Sequence, residues 1–381
     1  MKELLEHPRL DWKVLEEHRF DRDRFLEAAR LIRDKQLTAE SSLIREAIDP
    51  VHEVEDLDTE GDATLGQEAL ARGEVAVVVL NGGMATRFGN VVKGVVEVYE
   101  GKSFIALKAE DVLHARARYG ADIPLVLMNS FATSEKTSEH AEAKGRFDLG
   151  ESLLSFSQSI SLRLSPDAEL FEEDGEPSYY APGHGDFFPS IRASGVLEGL
   201  KAKGVKTILF SNVDNLGATI DPAVLTAHLR SGADMTVEVT AKKKTASGAW
   251  DKGGAPAKVA GRKQLVEGFR LPKDLPPTHL PDFSTNNFLF RVEAIDQPIQ
   301  LHQHVVEKQV GGRTALQLES IACEASAIFD EDGNALLSLH VLRVPREGAR
   351  GRFFPVKERV DLDALRGALK ERLEAGWRAM K

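Results

Sequence analysis

Residues 75–80, Val75-Ala76-Val77-Val78-Val79-Leu80, form an unbroken apolar run that turns at once into Asn81-Gly82-Gly83. A strand without polar alternation is buried on both faces, which is the condition of a parallel sheet covered by helices. A glycine-rich turn at the end of such a strand lets backbone N–H groups approach an anion with no Cβ between them. The turn lacks the spacing of a Walker A loop and of the Gly-x-Gly-x-x-Gly dinucleotide fingerprint. Arg87 inside it and Lys93 shortly after it suit a polyphosphate.

The rest of the chain repeats the pattern. Apolar spacing in Phe104–Tyr119 predicts a crossover helix, and Leu125-Val126-Leu127-Met128 predicts a second buried strand, with a helix following from Ser134. Residues 153–170 alternate and read as strand, residues 190–203 as helix, and Thr207-Ile208-Leu209-Phe210 as a third buried strand. Met235–Thr240 and Leu265–Glu267 read as further strands, followed by a proline-rich connection at 271–282. The first 70 residues look helical, with Phe25, Leu26, Ala29, Ile32 and Leu37 on one face and Leu43, Ile44 and Ile48 on another. The acidic stretch 51–63 reads as a surface linker. From Asp361, Leu362, Leu365, Leu369, Leu373 and Trp377 share one stripe of a terminal helix. The expected organisation is α/β: a helical segment at 1–72, a catalytic domain of mixed, mostly parallel sheet at 73–358, and a short helix at 359–381.

Candidate chemistry lies where the buried strands end. His184 stands between Gly183 and Gly185 with Asp186 next, an open backbone suited to ligand contact. Asp214, beside Asn212 and Asn215 at the end of a buried strand, reads either as a hard oxygen ligand for Mg²⁺ or as an Asx turn. Asn286 and Asn287 pair amides at the mouth of an apolar strand, where they could meet sugar hydroxyls. The single cysteine, Cys323, excludes an internal disulfide framework, reads as a core thiol and fits a reducing cytoplasm. A net charge of −11 with both signs mixed gives no basic face for nucleic acid. No apolar run reaches the ~18 residues of a membrane span, and the acidic start carries no signal-peptide core.

Eight segments, in order, resemble the eukaryotic-type UTP–glucose-1-phosphate uridylyltransferase (UDP-glucose pyrophosphorylase) family. They are Leu80-Asn81-Gly82-Gly83 with Thr86 and Gly89; Pro124 to Phe131; Pro182-Gly183-His184-Gly185-Asp186; Ser211 to Thr219; Lys252-Gly253-Gly254; Thr285-Asn286-Asn287; Gln317-Leu318-Glu319; and Phe354-Pro355-Val356-Lys357. The resemblance implies a Rossmann-like, GT-A-like nucleotidyltransferase fold that forms UDP-glucose and pyrophosphate from UTP and glucose 1-phosphate. It places Asn81, Gly82, Gly83 and Arg87 along the nucleotide phosphates, Leu80, Met128 and Gln158 around the uracil, and Gly183 and His184 beside the nucleoside. Asp214 would hold Mg²⁺, Lys93 and Lys357 would neutralise phosphate charge, and Asn215, Glu267, Asn286 and Asn287 would face the sugar. Departures are Met84-Ala85 where the family usually has Leu-Gly, Asn90-Val91-Val92 in place of a second lysine, and Ser-Ile-Ser-Leu-Arg after Gln158. They leave open another sugar 1-phosphate, galactose or N-acetylglucosamine, and a sugar-nucleotide-binding protein without catalysis. The family's C-terminal β-helix is expected to be absent, and with it assembly beyond a monomer or small oligomer.

Overall fold

A computed structural model of the chain describes residues 1–85, 91–244, 248–251, 253–356 and 359–379. Its centre is an eight-stranded sheet. The strands, numbered along the chain, are β1 (Glu55–Asp56), β2 (Val75–Leu80), β3 (Leu125–Asn129), β4 (Leu153–Ser157), β5 (Thr207–Asn212), β6 (Met235–Ala241), β7 (Asp282–Arg291) and β8 (Leu339–Arg343). Their order across the sheet is β1-β8-β6-β7-β5-β2-β3-β4, and only β7 runs antiparallel to both neighbours.

The unbroken apolar run of β2 needs cover on both sides, and both sides have it. Val75, Val77 and Val79 pack with helices α2 (Thr64–Ala71), α3 (Phe104–Tyr119) and α7 (Pro222–Ser231). Ala76 and Val78 pack with α5 (Phe187–Ala193) and α6 (Val196–Ala202). Each buried valine contributes roughly 1.5–3 kcal/mol, so burial on both faces anchors this strand firmly. Six phenylalanines pack into the second face; Phe187 on α5 lies 4.9 Å from Phe210 on β5 and 5.7 Å from Phe290 on β7. The remaining principal helices are α1 (Arg22–Arg33), α4 (Ser134–Ala143) and α8 (Arg359–Ala379). The stripe of α8 buries Leu362, Leu369, Leu373 and Trp377, with the Trp377 ring stacked 4.7 Å from His114 on α3. Among the described residues no helix is long and apolar enough to cross a membrane.

Four expectations are corrected. Ile48 is not on a helix face: Ile48–Pro50 is a short strand paired with Ala255–Val259. The stretch 51–63 supplies β1, the sheet's edge, and Val51 is buried. Residues 190–203 are split between α5 and α6 because Gly195 takes a left-handed φ of 76°. Within 153–170, regular alternation ends with β4, and among the described residues of that range Ser161–Leu162 is the one further strand, paired with Tyr179–Tyr180.

Candidate active site

The strand order creates a switch point. From β2 the chain crosses through α3 to β3 on one side, while β5 lies on the other. Loops leaving the C-terminal ends of β2 and β5 therefore diverge and open a crevice, the usual ligand position in such sheets. Here it is a cleft of about 360 Å³ lined by Leu80, Gly82, Gly83, Lys93, Gln158, Ala181, Gly183, His184 and residues 212–214. Leu80 and Asn212 are cross-strand neighbours at its floor.

Each wall is held from behind. Gly82 lies against the Gln158 side chain: a Cβ at Gly82 would fall 2.0 Å from Gln158 Nε2. The Gly82 carbonyl accepts from Ser130 Oγ at 2.8 Å. The Gln158 N–H donates to the Asn129 carbonyl at 2.8 Å, and its side-chain Oε1 is buried with no hydrogen-bond partner among the described residues. Opposite, Ser320 clamps the histidine loop: its N–H donates to Pro182 O at 2.8 Å, and its carbonyl accepts from Gly185 N at 2.9 Å. Gly183 takes φ 89°, and a Cβ there would sit 2.5 Å from Ser320 O. His184 Nδ1 accepts from the Ala322 N–H at 3.2 Å, and burial lowers its pKa to about 4. The ring is therefore neutral at pH 7 with its proton on Nε2, a hydrogen-bond donor at the cleft wall.

The two walls are tied together by a residue to which the sequence assigned no role. Buried Asp186 accepts from the Ser159 N–H at 2.7 Å and from Ser190 Oγ at 2.5 Å, fixing Gln158's neighbour to α5. Its place in the Gly-His-Gly-Asp run was the available signal. Asn212 likewise lines the cleft and was read only as part of a loop. The charged pair is at the β5 side: Lys93 Nζ is 2.5 Å from Asp214 Oδ2, with side chains 14% and 20% exposed.

The structure brings together Leu80, Gly82, Gly83, Lys93, Gln158, Gly183, His184 and Asp214 of the residues nominated from sequence. Others lie elsewhere. Met128 is fully buried in the core, because the last turn of side-chain alternation in β3 points it at the α5 face. The Asn81 amide is turned under the loop, donating to Asn129 Oδ1 and Thr137 Oγ1, each at 2.8 Å. Asn215 and Asn287 are buried and hydrogen-bonded to one another at 3.1 Å, so neither is turned to a sugar. Glu267 lies off the described lining, its Oε1 3.6 Å from Cys323 Sγ, and burial raises its pKa. Asn286, with φ 59°, reaches the cleft through Asn212, donating to its Oδ1 at 3.0 Å. Arg87, Lys252 and Lys357 lie outside the described residues.

A metal at this site would rest on one carboxylate. Asp214 is the only acidic side chain on the described lining, and no group of three or more His, Cys, Asp or Glu among the described residues could hold an ion. That donor set fits Mg²⁺, which is commonly held by one or two carboxylates and completed by substrate phosphates and water.

The model of the UTP–glucose-1-phosphate uridylyltransferase family matches residues 23–372. The UTP–glucose-1-phosphate uridylyltransferase of Saccharomyces cerevisiae is 35% identical over 326 residues, covering 80% of this chain and 61% of that one. The one from Solanum tuberosum is 32% identical over 321 residues, covering 80% of this chain and 63% of that one. The chain thus spans about six tenths of the length of these relatives. Among solved structures, a UDP-glucose phosphorylase from Trypanosoma brucei superposes with TM-score 0.75 at 26% identity, covering 93% of this chain and 78% of that one. A variant UDP-glucose pyrophosphorylase from Leishmania major in complex with UDP-glucose gives TM-score 0.71 at 28% identity, covering 90% and 74%. With the matching model extending over most of its length, the chain belongs to the UTP–glucose-1-phosphate uridylyltransferase family.

Proposed function

We propose that this chain transfers a uridylyl group from UTP to glucose 1-phosphate. A phosphate oxygen of the sugar phosphate attacks the α-phosphorus of UTP, the bond to the bridging oxygen breaks, and pyrophosphate leaves with that electron pair. The observation that carries the reading is the Lys93–Asp214 pair, 2.5 Å apart, at a switch-point cleft that also holds Gly82, Gly83 and Gln158. A simple nucleotide binder has no need of a cation and a metal-type carboxylate side by side at the phosphate end.

A phosphate monoester is largely ionised at neutral pH, with a second pKa of ~6, so the nucleophile needs no general base. Positioning and charge neutralisation are what the chain must supply. Gly82 and Gly83 leave backbone open to the phosphates, with Arg87 beside them in sequence. Gln158, on the cleft wall, contacts the uracil edge, and Leu80 packs on the ring. His184 donates from Nε2 to the nucleoside. Lys93 and Lys357 neutralise the α-phosphate and the leaving pyrophosphate. Asp214 would hold Mg²⁺, which when bound supplies further positive charge to the same phosphate oxygens. Asn286, at the cleft rim, is the sugar contact that this geometry favours of the four nominated. Buried Cys323, unpaired, supports a reducing, cytoplasmic setting.

The test is pyrophosphate release with UTP, Mg²⁺ and a panel of sugar 1-phosphates, with ATP, GTP and dTTP as controls. Release is expected with UTP and glucose 1-phosphate, and Lys93→Ala and Asp214→Ala are each expected to lower kcat by about 100-fold or more. Near-normal turnover in either variant removes the role given to that residue. Release with a different sugar keeps the chemistry and changes the substrate. No release with any pair, with UDP-sugar still bound, makes the chain a binding protein.

A further inference from the structure

Two of the three asparagines placed at the sugar, Asn215 and Asn287, belong to a buried polar knot behind the cleft. Lys108 on α3 is 4% exposed, and its ammonium donates to Asn215 O at 2.8 Å, Ala218 O at 2.9 Å and Ser211 Oγ at 3.3 Å. One side chain thus grips both ends of the loop that carries Asp214. Asn215 grips a second segment. Its Oδ1 accepts from the N–H of Gly217 at 3.3 Å and of Phe354 at 2.9 Å, and its Nδ2 donates to Arg352 O at 3.1 Å. The Asp214 carbonyl itself accepts from the Val356 N–H at 3.2 Å. Below, Arg352 makes a bidentate pair with Glu238, both bonds 2.7 Å, and Glu238 accepts from Asn287 Nδ2 at 3.2 Å.

Asn215 follows Asp214 in sequence, and Val356 precedes Lys357. We infer that Lys108 and Asn215 are positioning residues that hold the Asp214 loop and the segment leading to Lys357 in one fixed relation. The catalytic consequence rests on the uridylyltransferase reading. The energetics favour this over a stabilising role. Removing ionic groups from water is costly, and well-packed apolar residues of similar volume commonly serve stability as well or better. Burial pulls the Lys108 pKa down to about 8, the direction expected of a charge held away from water. What apolar packing cannot supply is direction, because hydrogen bonds to named carbonyls and amides admit one arrangement of the two segments.

Two experiments test the inference. In the first, Lys108→Met, Asn215→Leu and Asn215→Asp are compared with the unaltered chain. Lys108→Met and Asn215→Leu are expected to lower kcat by about 10- to 100-fold, the scale of a ~1 Å misplacement, with UTP affinity changed less than threefold because Gln158 and His184 are untouched. Asn215→Asp keeps an acceptor for Phe354 and Gly217 and is expected to retain at least tenfold more turnover than Asn215→Leu. Unchanged kcat per folded molecule, with only a lower unfolding midpoint, overturns the inference. The second experiment needs no variant and no turnover. Native-state hydrogen exchange on the unaltered chain should show the Gly217, Phe354 and Val356 amides opening as one unit. Independent opening, with exchange rates that respond separately to denaturant, overturns it. Absence of turnover in the unaltered chain would defeat the uridylyltransferase reading while leaving the exchange result decisive for the knot.

Discussion

At the scale of single residues, the cleft depends on side chains that are missing as much as on those present. Gly82 is the clearest case, since any Cβ there meets Gln158 Nε2 at 2.0 Å. The end of a glutamine can rotate, so Gly82→Ala is expected to fold and to displace the Gln158 amide from its place. The variant should raise the KM for UTP about tenfold while changing kcat less than threefold, because a lost ground-state contact is uniform binding energy. Steady-state kinetics with UTP varied would show it, and a loss confined to kcat would place Gln158 on the reacting groups instead. Gly82 was readable because a glycine turn at the end of a buried strand is marked by pattern, whereas Gln158 was nominated only through the resemblance to the family. Direction was not readable for Asn81, Asn215 and Asn287. An amide bonds as readily to a neighbouring backbone as to a hydroxyl, and strand periodicity says nothing past the strand's last residue.

At the scale of elements, the buried strands and long helices were legible because each carries its own periodic apolar signal. The edge strand β1 and the strand Ile48–Pro50 were not, being two and three residues long and fixed only by partners distant in sequence. The contact between α7 and β6 shows what such tertiary pairing can hide. His228 on α7 is 1% exposed, with Nδ1 2.7 Å from Thr236 Oγ1 on β6 and burial lowering its pKa to about 4. The folded chain keeps this ring neutral, whereas an unfolded histidine takes a proton near 6.5. Below pH 6.5 the unfolded state therefore binds a proton that the folded state refuses, and stability falls until the pH reaches about 4. Urea-unfolding midpoints measured from pH 7 to 4 should fall more steeply for the native chain than for His228→Asn. Parallel curves would mean that the ring is already protonated in the fold.

At the scale of the whole molecule, the cleft is assembled from segments near residues 82, 93, 158, 184 and 214, which no local signal joins. Only the strand order brings them together, so a ligand that touches all of them should report as stabilisation of the entire fold. A ligand at a hundredfold excess over its Kd stabilises the folded state by about 2.7 kcal/mol. For UTP, the sign of the phosphate-end contribution turns on Asp214. Its carboxylate repels a triphosphate, and Lys93 is already spent on it at 2.5 Å. Adding Mg²⁺ should convert that repulsion into attraction, giving the native chain a thermal shift with UTP that grows sharply when Mg²⁺ is present. Asp214→Asn removes the repelling charge and releases Lys93 toward the phosphates. The variant should therefore show a larger UTP shift than the native chain in EDTA, and little further gain on adding Mg²⁺. This readout needs no turnover, so it separates the metal-holding role of Asp214 from any effect on the chemical step. An equal Mg²⁺-dependent gain in both proteins would place the ion elsewhere and leave Asp214 as a partner of Lys93 alone.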